Sequence, residues 1–221
     1  VATTAFGWAL VGMNADPQDI GTREREQMAS VLTLQDLPAL ADYTRERERF
    51  RAEVLAAKKA RYVPIGENVS LLFESRLTVL YQVMEMLRIE KTTDPQGIQS
   101  ELDAYNPMIP GGADWRATML IEFEDAAERA VQLKYMRLVE HHVYAGIGDI
   151  RVMAIADEDM ERSDADKTSS VHFLRFPLPP EGIAGLRAGA PLAFGIDHPR
   201  YRFVNNVSDP AIVASLLGDL H

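Results

Sequence analysis

The chain has 221 residues, no cysteine, 47% hydrophobic content and a formal charge of −10, with a pI near 5.0. That apolar content suffices for a buried core in one domain, and the missing cysteines exclude disulfides, thiolate catalysis, thiolate zinc sites and iron–sulfur clusters held by this chain itself. The negative field opposes sequence-independent nucleic-acid binding, and no apolar run reaches the roughly 20 residues that span a bilayer, so a soluble, cytoplasmic protein is expected.

The opening VATTAFGWALVGM lacks the basic start of a secretory signal and is broken by glycines. Patterned sequence begins only after Met28, and Met13 and Met28 are both internal candidates for the translation start. Residues 1–30 are therefore expected to form a poorly ordered or peripheral extension, with TREREQ making one helical turn at most, and residues 31–221 a single domain.

Thr33 and Asp36 have the spacing of a capping box, which predicts a helical start there. Leu40, Tyr43, Phe50, Val54 and Leu55 then follow helical spacing around the charged run RERERFR, predicting an amphipathic helix that ends near Arg61. Its basic tail, KKAR, reads as solvated surface at a helix C-terminus before it reads as a phosphate contact. YVPIGENVSLLFES predicts a strand–turn–strand, and RLTVLYQVMEMLRIEK a helix apolar on two sides, hence mostly buried. Tyr81, Glu85 and Arg88 fall within about 60° of arc on that helix, a polar strip entering a buried setting.

GIQSELDAYNPMIPGG predicts a short helix and a loop whose prolines would make it a shaped lid over a ligand pocket. WRATMLIEFE reads as a strand, DAAERAVQLKYMRL as a helix, HHVYAGIGDIRVMAIADED as two strands around a turn, and SSVHFLRFPL as another strand. PPEGIAGLRAG is a short helix, PLAFGIDHPRYRFV a strand leading into a turn, and DPAIVASLLGDL a capped terminal helix. Strands and helices alternate without regular βα spacing, so the expected class is α+β: a largely antiparallel sheet with several packed helices and a peripheral N-terminal helical segment.

The densest chemistry lies in residues 154–176. The loop carries Asp157, Glu158, Asp159, Glu161, Asp164 and Asp166, enough oxygen donors for a hard cation but without the glycine and closing glutamate of an EF-hand. It reads first as a solvated acidic connection with Arg162 and Lys167 as counterions. His172 follows on a strand where Ser170, His172, Leu174 and Phe176 face one way. Most such histidines are structural; the sharper reading joins Asp157, Asp159, His172 and His198 in a site for Fe, Mn or Zn. The candidate polar cluster is Tyr81, Glu85, Arg88, His172, Asp197 and His198. His141 and His142 would point to opposite sides if extended, so they carry little weight. No dinucleotide fingerprint, P-loop or nucleophile elbow occurs in the chain.

From Leu32 onward, the segments LTLQDL, RLTVLYQVMEMLRIE, ELDAYNPMIP, ADEDMER, DKTSSVHFLRF and GIDHPRY resemble a bacterial family catalogued as domain of unknown function 3501. The resemblance implies no established activity. It does imply genomic company with rubrerythrin-like proteins and iron–sulfur oxidoreductases, and hence an accessory or binding role in a redox or peroxide-response system. The competing expectation is a divalent-metal-dependent enzyme using histidine and carboxylate side chains. Convergence of Glu85, Arg88, His172 and His198 in one cleft would favour the enzyme, and their separation together with an exposed apolar patch of more than a few hundred Å² the binding protein.

Overall fold

The structure, a computed structural model, describes residues 31–158, 162–163 and 166–221. The expected N-terminal extension, and Asp159, Glu161 and Asp164 of the acidic loop, lie outside the described residues.

The capping box at Thr33 and Asp36 forms, but it opens only a single 3-10 turn, Leu34–Asp36. Pro38 explains the correction: Leu37, the residue before it, is extended at φ −85°, ψ 124°, as pre-proline sterics require, and the helix starts afresh. That helix, α1 (Leu40–Lys59), packs against α2 (Arg76–Glu90), which packs against α3 (Pro95–Tyr105). Ser75 caps α2, and Asp94 caps α3 ahead of a first-turn proline. Tyr43, Val79, Val83, Met84, Leu87 and Leu102 form the core of this helical layer.

Strands β1 (Tyr62–Ile65) and β2 (Val69–Phe73) form the expected hairpin, turning at Gly66 with a left-handed φ of 73°. Next come β3 (Asp114–Ile121), α4 (Ala126–Tyr135), β4 (Val143–Ile147), β5 (Ile150–Met153), β6 (Ile155–Ala156) and β7 (Val171–Pro177). The chain closes with α5 (Pro180–Arg187), β8 (Leu192–His198), β9 (Tyr201–Asn206) and α6 (Pro210–Leu217). Among the described residues the expected strand before the final helix is two strands, because Pro199 and Arg200 turn the chain back on itself.

Among the described residues the named strands all pair antiparallel, in a five-stranded sheet ordered β1-β2-β3-β7-β6 and a four-stranded sheet ordered β5-β4-β8-β9, and an isolated bridge between Gly112 and Leu220 is parallel. The protein is thus α+β. The sheets face each other across an aromatic cluster. Phe194 of the smaller sheet sits 4.8 Å from Phe73 and 5.7 Å from both Trp115 and Phe176 of the larger one, centroid to centroid. Alternate residues of β3 and β7 fill this core, and the residues between them face the helical layer.

Arg61 is a second correction. Instead of a solvated basic tail, it is a buried fastener: it pairs with Asp219, donates from Nη1 to Ser215 Oγ at 3.0 Å, and donates to the carbonyls of Phe73 and Glu74. It thereby ties the start of β1 to the C-terminal helix.

A buried histidine between two carboxylates

His172 lies on the core face of β7, as the alternation in SSVHFLRF predicts, and is fully buried at 0% exposure. Its Nδ1 is 2.5 Å from Asp157 Oδ2, and its Nε2 is 2.8 Å from Thr168 Oγ1 and 3.7 Å from Glu140 Oε2. Each partner comes from a different element. Asp157 follows β6 in a left-handed conformation, φ 48°, that aspartate tolerates better than most residues. There its N–H donates to the Phe173 carbonyl and its Oδ1 accepts the Phe173 N–H at 2.9 Å, so this residue completes the ladder beside His172.

Glu140 sits in a 3-10 turn, Val139–His142, entered through Leu138 at φ 65°. A left-handed leucine is strained, and such strain persists where the surroundings over-determine it, often beside functional groups. The turn aims Glu140 inward at 1% exposure, where the hydroxyls of Ser163 and Thr168 donate to its two oxygens. Arg162 Nε is 3.2 Å from Asp157 Oδ1.

Glu140, Asp157 and His172 can each offer one ligand atom such that all three atoms lie within 4.8 Å of one another. Among the described residues, two buried carboxylates face one guanidinium at this centre, an excess of negative charge, and leaving a buried charge uncompensated costs several kcal/mol. Two compensations fit. Protonated at both nitrogens, His172 donates to Asp157 from Nδ1 and to Thr168 from Nε2 while both hydroxyls serve Glu140. Alternatively, a divalent cation takes the place of a ring proton, bound by one nitrogen of His172 and by the carboxylates of Glu140 and Asp157. Asp157, His172 and Thr168 also have the hydrogen-bond order of a carboxylate–imidazole–hydroxyl triad. A nucleophile role does not fit, because Thr168 is buried and its oxygen already engages Glu140 and Ser163.

The remaining candidate residues lie elsewhere. Glu85 accepts both forks of Arg47 at 2.8 Å, Arg88 at 3.1 and 3.2 Å, and the Tyr43 hydroxyl at 2.7 Å. Arg47 above all holds the Glu85 carboxyl far below the usual range, while burial and then Glu85 push the Tyr43 phenol up. Tyr81 packs on Phe50, 6.1 Å between centroids. His198 closes β8 in the other sheet, its ring 5.1 Å from that of His142; burial, then His142, lowers its basicity. Asp197 pairs with Arg202 at 3.0 Å and Arg151 at 3.4 Å on the surface. Of the candidate metal ligands among the described residues, only Asp157 and His172 meet, while Glu85 and Arg88 pair separately in the helical layer. Sequence reasoning misses Glu140 because it takes the chain as extended at His141 and His142, where the structure turns; the only signal is a carboxylate lodged in an apolar stretch.

A small cleft of about 110 Å³ lies between β3, β7 and the segment after α3, lined by Glu74, Arg116, Glu158, Arg175, Pro107 and Met108 among others. Its place beneath ELDAYNPMIP is where the prolines of that segment predict a lid. Among the described residues no helix is long and apolar enough to cross a membrane.

Fold and site together define an α+β protein with two facing antiparallel sheets and a closed histidine–carboxylate centre. The chain belongs to the family described as Protein of unknown function (DUF3501), matched over residues 31–220. It is similar to a novel protein of unknown function from Burkholderia pseudomallei, known from a crystal structure. The two share 46% sequence identity with a TM-score of 0.82, over 87% of this chain and 100% of that one. No curated protein matches.

Proposed function

We propose that this is an accessory binding protein of a redox or peroxide-response system, holding one divalent cation, Fe, Mn or Zn, at Glu140, Asp157 and His172. The observation that carries the reading is the meeting of these three ligating side chains, from three separate elements, within 4.8 Å inside the core. One imidazole and two carboxylates suit these borderline cations. Burial of His172 and Glu140 at 0% and 1% exposure favours holding a metal over turning over a substrate, since a catalytic metal needs an open coordination position. Separation of Glu85, Arg88 and His198 from the centre supports the same choice against a metal-dependent enzyme.

The redox setting rests on the genomic company that the family resemblance implies. A chain without cysteine has no thiolates for a cluster of its own. Its partner in this reading is therefore a cytoplasmic iron–sulfur oxidoreductase or a rubrerythrin-like protein, with no nucleic acid or membrane involved.

The test is calorimetric titration of chelator-treated protein with Mn²⁺, Fe²⁺ and Zn²⁺ in two buffers of different ionisation enthalpy. Binding at one site per chain is the expected result, with any proton displaced from the site read from the difference between the two buffers. Absence of binding for all three cations overturns the reading. Sedimentation of the loaded protein with the purified oxidoreductase then tests the partner, and a mixture that sediments as separate species removes it.

A further inference from the structure

In β3 and β7, Arg116 and Arg175 are direct cross-strand partners on the face turned toward the helical layer. Like charges directly opposite each other on a sheet repel, so this arrangement persists only with an anion between them. Glu158 supplies it. Its carboxylate takes both forks of Arg175 at 2.7 Å and reaches Arg116 Nη1 at 3.4 Å. Glu158 is nevertheless 43% exposed, an unusually accessible anchor for two half-buried guanidiniums. Arg116 is also incompletely served. Its Nε lies 2.9 Å from Asp114 Oδ2, yet it makes no hydrogen bond to any described residue.

The same cleft holds the opposite deficit. Glu74 is 7% exposed, and its carboxylate accepts only the hydroxyls of Thr78 at 2.6 Å and Thr118 at 2.7 Å. Among the described residues no cation lies within ion-pair distance of it. A carboxylate has about four acceptor sites, so two hydroxyls leave it capacity for a cationic donor. Cleft and side chains thus offer a cation acceptor and an anion acceptor within one space of about 110 Å³.

From this juxtaposition we propose that the cleft binds a small zwitterion of the amino-acid class, its ammonium on Glu74 and its carboxylate on Arg116 and Arg175 in place of Glu158. A plain anion would gain little, because it exchanges one exposed carboxylate for another on the same guanidiniums. Only a ligand that also brings a cation to Glu74 gains a partner the protein lacks. Size agrees: a cavity of roughly 150 Å³ accommodates benzene, so this one encloses about four or five heavy atoms, glycine or most of alanine. Pro107 and Met108 form the wall from the helical layer. The proposal is independent of the metal, which the centre beyond Asp157 would hold.

The experiment titrates glycine, L-alanine, acetate and ethylammonium chloride into chelator-treated protein, with binding read by calorimetry and by amide NMR shifts around Met108. Glycine and alanine are expected to bind at least about tenfold more tightly than acetate or ethylammonium. Glu74→Gln and Arg175→Gln should each weaken glycine by a similar factor, and Glu158→Gln should strengthen it several-fold by removing the competing carboxylate. Acetate binding as tightly as glycine, ethylammonium doing so, or no binding by any of the four overturns the proposal. Those four titrations use the wild-type protein, so they decide the matter even where a variant fails to fold.

Discussion

Asp157 Oδ2 and His172 Nδ1 stand 2.5 Å apart, fifteen positions apart in the chain, across the connection that leaves β6 and returns as β7. β6 and β7 are antiparallel neighbours, so the pairing is built by the sheet as well as by the loop. The left-handed turn at Asp157 places its backbone N–H and one carboxylate oxygen on Phe173, and the other oxygen is left for the imidazole. One residue therefore ends the ladder and orients the ring.

Removing that carboxylate should be costly. Asp157→Ala leaves the His172 Nδ1 and the Phe173 N–H without their acceptor, and loss of one member of a buried charged pair costs about 3–5 kcal/mol. Urea unfolding at neutral pH measures it, and a loss below about 1 kcal/mol would show that solvent reaches the centre.

Phe194 is the single aromatic of the smaller sheet that touches Phe73, Trp115 and Phe176 together. Truncation to alanine should cost about 3–5 kcal/mol, since the facing rings come from three strands and cannot all close on the void. In a chain of this size that corresponds to a fall of about 10 °C in Tm, readable by calorimetry. An unchanged Tm would mean that the sheets do not meet there.

Strand β7 is legible in the sequence because a period of two is local, and it places His172, Leu174 and Phe176 correctly on one face. The helix containing Glu85 is legible through its apolar stripes, and so is its bond with Arg88; Arg47 and Tyr43, the other partners, come from a helix 38 and 42 residues earlier. Cross-strand register is equally non-local. Nothing near Arg116 reveals that Arg175 will stand opposite it, and nothing near His172 reveals Glu140. Pro38, in contrast, is visible in the chain, and its effect on the residue before it accounts for the delayed start of α1.

The Glu85 cluster gives stability a defined pH dependence. Its carboxyl titrates lower in the folded protein than in the unfolded chain, chiefly through Arg47. Such a group contributes stability that is present above its unfolded value, near 4.5, and is lost as pH falls through the folded value. Chemical denaturation from pH 6 down to pH 3 should therefore show a decline that Glu85→Gln flattens while lowering Tm at pH 7. Parallel wild-type and variant curves would contradict the pairing.

His198 works in the same direction at higher pH. Burial and His142 disfavour its charged form, so its contribution is present above the ordinary histidine value of 6.5 and falls away as pH drops through the lower folded value. His198→Gln should reduce the acid sensitivity of unfolding below about pH 6.5. A variant as acid-sensitive as the wild type would place the titration elsewhere.

The central claim is the cation at Glu140, Asp157 and His172, and elemental analysis of protein purified without an affinity tag tests it most directly. Wild type should carry Fe, Mn or Zn at close to one atom per chain. Folded His172→Ala should lose it, and His198→Ala should keep it. A wild-type protein that is metal-free as purified, and stays so after incubation with all three cations, would contradict the claim and leave His172 as a hydrogen-bonding bridge from Asp157 to Thr168.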